Sequence, residues 1–71
     1  MSEATIEIVV NGEGRSVPEG ASVAELLERL ELDRGAVVVE LNRQIVRRDE
    51  LERAGLEAGD RVELVRFVGG G

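Results

Sequence analysis

The sequence predicts an α+β fold in which a mixed sheet of four or five strands packs one main helix on one face. Three observations predict it: an opening hairpin pattern, an amphipathic helix with its own start signal, and three strand patterns after the helix. The 71 residues make a single domain. A chain of this length hides only about 60% of the surface that its unfolded form exposes, so we expect no deep enzyme cleft beside the core.

The first predicted element is a β-hairpin. Apolar side chains occupy every second position of residues 6–10, which is the period of a strand with one buried face. Asn11 and Gly12 follow, and both residue types tolerate the positive φ that a tight hairpin turn requires. Residues 15–17 then return as a second strand.

The next predicted element is a helix over residues 23–32. Ser22 can cap its N-terminus, and Glu25 stands three residues later, which completes a capping box. Four apolar residues fall on one face at helical spacing: Val23, Leu26, Leu27 and Leu30. Gly35 stands where a helix-terminating glycine is expected.

A second strand pair follows the helix. Residues 36–41 alternate so that one face carries apolar side chains. Asn42 and Arg43 form the predicted turn, and residues 44–46 form a short fourth strand.

The last third of the chain is charged until its final strand. Leu51 and Leu56 are the apolar residues that can anchor this stretch to the core. Gly59 and Asp60 predict a turn, and residues 61–68 predict the last strand.

A hairpin, a helix that crosses over it and further strands predict a β-grasp, or ubiquitin-like, arrangement. Because crossover connections between parallel strands are right-handed, we expect the first and last strands to be parallel neighbours. The predicted domain covers residues 1–68, and residues 69–71 form a flexible glycine tail.

The alternation also assigns the two faces of the sheet. The helix-facing set is Ile6, Ile8, Val10, Val37, Val39, Leu41, Val62 and Leu64. The opposite face has no second layer, and apolar residues without a cover usually mark a partner-binding surface. The predicted partner-binding residues are Val9, Val38, Val65, Phe67 and Val68. Three acids on the same face, Glu7, Glu40 and Glu63, are expected to surround them and to favour a basic partner.

The composition removes most functional classes. There is no cysteine and no histidine, so thiol chemistry and the commonest general base and metal ligand are absent, and we expect no metal site. Nine arginines, no lysine and fifteen acids give a net charge of −6, with one aromatic residue, which argues against nucleic-acid binding. No apolar run approaches the ~20 residues of a membrane span, and the start does not resemble a secretory signal. We therefore expect a cytoplasmic protein that is not an enzyme.

The terminal glycines carry the remaining chemical possibility. Gly69 and Gly70 have no side chains, so a narrow channel in a partner can admit this backbone. The carboxylate of Gly71 is then available for activation with ATP and conversion to a thioester, amide or thiocarboxylate. We expect Gly71 to be the reactive residue and Gly69 and Gly70 to provide access.

These features resemble a known family. The segments "IVVNGEGRSV", "ASVAELLERL", "VVVELNRQIVRRDE" and above all "LEAGDRVELVRFVGGG" resemble the sulfur carrier proteins of thiamine biosynthesis, the ThiS family, over almost the whole chain. The resemblance implies that a ubiquitin-activating-type adenylyltransferase uses ATP and magnesium to adenylate Gly71. Sulfur from a cysteine-derived persulfide then gives a thiocarboxylate, which thiazole synthase consumes. It also implies no bound cofactor, and we expect a monomer when free.

Three alternatives remain open at this point. The small subunit of molybdopterin synthase shares the tail chemistry but serves another acceptor. A protein modifier ends in an amide with a target lysine. In a non-catalytic β-grasp interaction module, the terminal glycines take part in no chemistry and are incidental.

Overall fold

The computed structural model describes residues 4–66. Within these residues two strands precede one α-helix and three strands follow it, with two short 3-10 turns at Arg34–Ala36 and Arg48–Glu50. The main elements are β1 (Thr5–Val10), β2 (Glu13–Pro18), α1 (Val23–Arg29), β3 (Val37–Leu41), β4 (Gln44–Val46) and β5 (Arg61–Arg66). The predicted last strand, residues 61–68, is described as far as Arg66. Residues 67 and 68 lie outside the described range.

The five strands form one mixed sheet in the order β2-β1-β5-β3-β4. β1 and β5 are parallel neighbours, and the other three pairs are antiparallel. The predicted β-grasp arrangement is therefore confirmed. It makes β5, the strand that leads towards the glycine tail, the central strand of the sheet.

The core lies between α1 and one face of the sheet, as the alternation predicts. Its buried strand and helix residues include Ile8, Val10, Val39, Val62, Leu64, Leu26 and Leu27. Ile6 and Leu41 pack against this cluster at its margin. The anchors Leu51 and Leu56 are both buried. The assignment of the inner face is thus confirmed.

The start of α1 follows the prediction, but its end does not. Ser22 accepts a hydrogen bond from the Glu25 N–H, and the Glu25 carboxylate accepts one from the Ser22 N–H, so the capping box is present. The helix ends at Arg29, before the predicted residue 32. Glu31 takes φ 58°, and the Leu32 N–H donates to the Leu27 carbonyl, the Schellman pattern of hydrogen bonds.

Gly35 has a different place from the one predicted. It lies in the 3-10 turn, and its N–H donates to the Asp33 carboxylate at 2.9 Å. A glutamate rather than a glycine closes the helix. The apolar residues Leu30 and Leu32 continue the helical pattern past this point, which is why the pattern alone placed the end too late.

Both hairpin turns are confirmed. Asn11 and Gly12 have φ values of 49° and 83°, and Asn42 and Arg43 have 51° and 72°. Two consecutive residues with positive φ between paired antiparallel strands are typical of a type I′ turn, whose twist matches that of the strands.

Candidate functional site

β5 carries the chain towards the predicted reactive end. Its side chains alternate, with Val62 and Leu64 buried and Glu63 and Val65 exposed. The predicted site residues Phe67, Val68, Gly69, Gly70 and Gly71 lie outside the described residues. The site can therefore be built up to Arg66.

The Asn11 side chain binds β5 directly. Its Oδ1 accepts a hydrogen bond from the Leu64 N–H at 2.8 Å, and its Nδ2 donates to the Leu64 carbonyl at 3.3 Å. β1 ends at Val10, so the Asn11 amide continues the pairing of β5 after the β1 backbone has turned away. The sequence identified Asn11 only as a turn residue, because its bonds join positions 53 residues apart.

A second asparagine holds the start of the same strand. The Asn42 Oδ1 accepts from the Arg61 N–H at 2.9 Å, and its Nδ2 donates to Asp60 Oδ1 at 3.1 Å. The other Asp60 oxygen accepts from the Glu57 N–H at 2.8 Å. Both hairpin turns therefore supply an amide to β5, and these bonds hold the strand at its first residue, Arg61, and at Leu64.

The three predicted partner-binding residues that the structure describes lie in two places on the outer face of the sheet. Val38 and Val65 are directly opposite each other on β3 and β5. Val38 is half-buried, and Val65 is 57% exposed. Val9 is half-buried on β1 and lies beside Arg61, four residues along β5 from Val65. Four residues of a strand span ~13 Å, so Val9 is separate from the Val38–Val65 pair.

Ile45 belongs to this surface, although the sequence analysis did not select it. It is 67% exposed and lies opposite Glu40 on the neighbouring strand. Alternation in a strand of three residues is too short to assign a face, so the sequence carried no reliable signal for it. Together, Val38, Val65 and Ile45 form what we call the apolar patch.

The three predicted acids do not lie together. Glu40 and Glu63 are paired across β3 and β5, next to the apolar patch. Glu7 lies on β1, where its carboxylate accepts a hydrogen bond from the Ser16 hydroxyl on β2. Two like charges directly opposite on a sheet destabilise it slightly, so the Glu40–Glu63 pair has a cost in the free protein.

Two further findings concern the part of the chain that the structure describes. Residues 4–66 contain no group of three or more acidic side chains arranged to hold a metal ion. No helix within this range is long and apolar enough to cross a membrane.

The comparison with protein families decides the relationship. The ThiS family model matches residues 4–71, which includes β5 and the terminal glycines. The chain belongs to the ThiS family. The resemblance and the fold that it implied are thereby confirmed.

Two related proteins support this membership. The sulfur carrier protein ThiS of Escherichia coli K12 is 29% identical over 66 residues, which are 93% of this chain and 100% of that protein. A thiazole synthase of Paramagnetospirillum magneticum is 36% identical over 66 residues. This chain spans only 20% of the length of that thiazole synthase.

Solved structures agree with the fold. The crystal structure of a thiamine biosynthesis protein, ThiS, from Geobacter metallireducens superposes with a TM-score of 0.79 at 35% identity, covering 93% of this chain and 100% of that one. The solution structure of a thiamine biosynthesis protein from the same organism gives a TM-score of 0.77 at 35% identity, over 93% of this chain and 88% of that one.

Proposed function

We propose that this ThiS-family chain carries sulfur for thiamine biosynthesis on the carboxylate of Gly71. The observation that carries the proposal is the family match, because it extends through the terminal glycines as well as the folded domain. The central position of β5 supports it as well. β5 is paired on both sides, and two asparagine amides bind it. These contacts hold in place the strand from which the tail would enter a partner.

The proposed chemistry takes place in partner proteins. In an adenylyltransferase of the ubiquitin-activating type, a Gly71 carboxylate oxygen attacks the α-phosphorus of magnesium-bound ATP and releases pyrophosphate. The terminal sulfur of a cysteine-derived persulfide then attacks the acyl carbon, and AMP leaves. The resulting acyl disulfide needs two electrons, which a second thiol supplies as it forms a disulfide. The thiocarboxylate remains on the carrier.

The chain itself contributes access and recognition. Gly69 and Gly70 let the backbone pass through a narrow channel, since neither has a β-carbon. The partner-binding residues Val9, Val38, Val65, Phe67 and Val68, now with Ile45, provide apolar contacts. In this proposal the partners perform the catalysis, and the carrier binds no cofactor of its own.

Thiazole synthase is the proposed sulfur acceptor. The thiazole synthase of P. magneticum includes a segment that is 36% identical to this chain. Two domains joined in one polypeptide are held at a high effective concentration, an advantage when one acts on the other. This relative favours the thiamine acceptor over that of molybdopterin synthase.

Intact-mass spectrometry tests the proposal. The carrier is incubated with the adenylyltransferase of its own organism, ATP, magnesium and a persulfide donor with a reducing thiol. Its mass should rise by the difference between one sulfur and one oxygen, and fragmentation should assign the change to Gly71. A protein without Gly70 and Gly71 should stay unchanged while remaining folded. Amide linkage to other proteins would instead support a modifier, and thiazole formation by the truncated protein would refute the proposal.

A further inference from the structure

A basic cluster lies at one end of the sheet of this acidic protein. Arg34, Arg47 and Arg48 line a shallow pocket together with Val38 and Ile45 of the apolar patch. Among the described residues that line it, none is acidic. Arg47 forms an ion pair with Asp49, in which Nε lies 3.6 Å from Oδ1. Both side chains are largely exposed. Such an exposed pair is weak, so Arg47 remains available to a partner.

The strand register assigns this basic cluster to the end of the sheet at which β5 finishes. Val37, the first residue of β3, pairs with Arg66, the last residue of β5. Arg34 lies in the 3-10 turn directly before β3. Arg47 and Arg48 directly follow β4, which pairs with β3 at Val39 and runs towards the same end. The three arginines therefore lie at the end of the sheet from which the chain continues to Gly71, on the side of β3 and β4.

Charged and apolar side chains follow one another along the sheet, starting from the end at which β5 finishes. The basic cluster is nearest the end of β5, the Val38–Val65 pair comes next, and Glu40 and Glu63 follow two residues further along their strands. Two strand residues span ~7 Å. Basic side chains thus lie nearer the tail than the acidic pair does, and Arg61 follows Glu63 on the same face of β5, in a chain whose net charge is −6.

We propose that Arg34, Arg47 and Arg48 bind carboxylates of the adenylyltransferase at the mouth of the channel that receives the tail. This inference rests on the proposed function. A guanidinium group matches a carboxylate with two parallel hydrogen bonds, which suits a protein surface rich in Asp and Glu. The Glu40–Glu63 pair meets basic residues further from that mouth, so the carrier docks in one orientation.

The distance to the reacting end limits the role of the basic cluster. Five residues follow Arg66, and five residues reach at most about 18 Å. The arginines therefore contact the rim of the channel, while the Gly71 carboxylate reaches the nucleotide inside. Charges at the rim of an interface act mainly on the rate of productive encounter, and salt weakens their effect.

The test compares three double variants of the full chain with the wild type. R47E/R48E reverses the basic cluster, and R47K/R48K retains its charge. R43E/R53E is the matched control, because Arg43 and Arg53 are also exposed but lie outside the cluster. Both glutamate variants change the net charge from −6 to −10, since each substitution replaces one positive charge by a negative one. Circular dichroism and thermal unfolding first establish that each variant is folded.

Steady-state adenylation at low and high ionic strength gives the readout. We expect kcat/KM for the carrier to fall about tenfold or more for R47E/R48E at low salt, and by less than about threefold for the control. The difference should shrink as salt rises, and R47K/R48K should retain most of the wild-type rate. Equal losses in R47E/R48E and R43E/R53E would overturn the inference, since net charge alone would then explain them.

Two other results would also overturn the inference, and the measured rates distinguish them. If R47E/R48E raised the KM for ATP and left the KM for the carrier unchanged, the arginines would contact nucleotide and not protein carboxylates. If the wild type itself were not adenylated by the enzyme, the proposed function would fail and the inference with it. A working wild type with an unaffected R47E/R48E variant would refute the inference alone.

Discussion

Asn11 combines two requirements in one residue, a backbone with positive φ and an amide that binds β5. Asn11→Gly retains the backbone conformation and removes the amide, which leaves the Leu64 N–H without its acceptor. We expect a loss of about 1–3 kcal/mol in the free energy of unfolding, measured by urea denaturation. Asn11→Asp keeps the acceptor of the shorter bond and should lose less. A glycine variant as stable as the wild type would mean that only the turn matters.

A substitution at Gly70 tests the proposed entry of the tail into a partner's channel at the residue scale. Gly70→Ala adds a β-carbon and restricts φ, so adenylation of the carrier should slow while its melting temperature stays unchanged. Gly55→Ala is the matched control, because a β-carbon there meets no atom within 4 Å and φ is not positive. Equal rates for the Gly70 variant and the wild type would argue that the channel tolerates side chains.

At the scale of the element, α1 contributes one apolar face to the core. Leu27 is 2% exposed and packs in the cluster that contains the strands. Leu27→Ala should lower the free energy of unfolding by about 2–5 kcal/mol, because it removes buried contacts and leaves a cavity. Glu28→Ala, on the exposed face of the same helix, is the control and should change stability little. Similar values for the two variants would contradict the packing of α1.

The Glu40–Glu63 pair belongs to the same scale because it joins two strands. Glu63→Lys replaces a repulsive cross-strand pair with an attractive one, so it should stabilise the free protein by about 0.2–1 kcal/mol in thermal or urea unfolding. If the acids serve a basic partner surface, the same variant should bind the adenylyltransferase more weakly. Glu28→Lys makes an equal charge change on the helix and should not weaken binding. Tighter binding by the Glu63 variant would contradict a basic partner surface.

At the scale of the whole molecule, the core and the proposed partner-binding surface lie on opposite faces of the sheet. Val65 is exposed, while Val62 and Leu64 on the same strand are buried. Val65→Ala and Phe67→Ala should therefore weaken binding to the adenylyltransferase or thiazole synthase, measured by titration calorimetry, and leave the melting temperature nearly unchanged. Val62→Ala should lower the melting temperature and leave binding by the folded protein nearly unchanged. A collapse of stability with normal binding in the Val65 variant would mean that the faces are assigned backwards.

Much of this fold could be predicted because its signals are local. The Asn11–Gly12 turn follows from two residue types that accept positive φ, the Asn42–Arg43 turn from an asparagine between two strand patterns, and the capping box from Ser22 and Glu25. The two faces of β5 follow from the period of two in a strand. Each of these depends on neighbours within a few residues, so the chain order alone carries the information.

The candidate site could be predicted only in part. Val38 and Val65 were selected from alternation, but their direct pairing and the distance of Val9 from them depend on strand register. The end of α1 was misplaced, because the Glu31 conformation that closes the helix has no signature in a glutamate. Ile45 was missed because its strand has only three residues.

By itself the sequence determined the α+β class, the turns, the inner face of the sheet and a likeness to the ThiS family that the comparisons confirm. Only the tertiary structure decided that the Asn11 amide binds Leu64, and that Arg34, Arg47 and Arg48 line one pocket with Val38 and Ile45. The physical reason is the same in each case. Side-chain period and turn preference act between near neighbours, whereas contacts between distant segments exist only after the core has fixed the register of the strands.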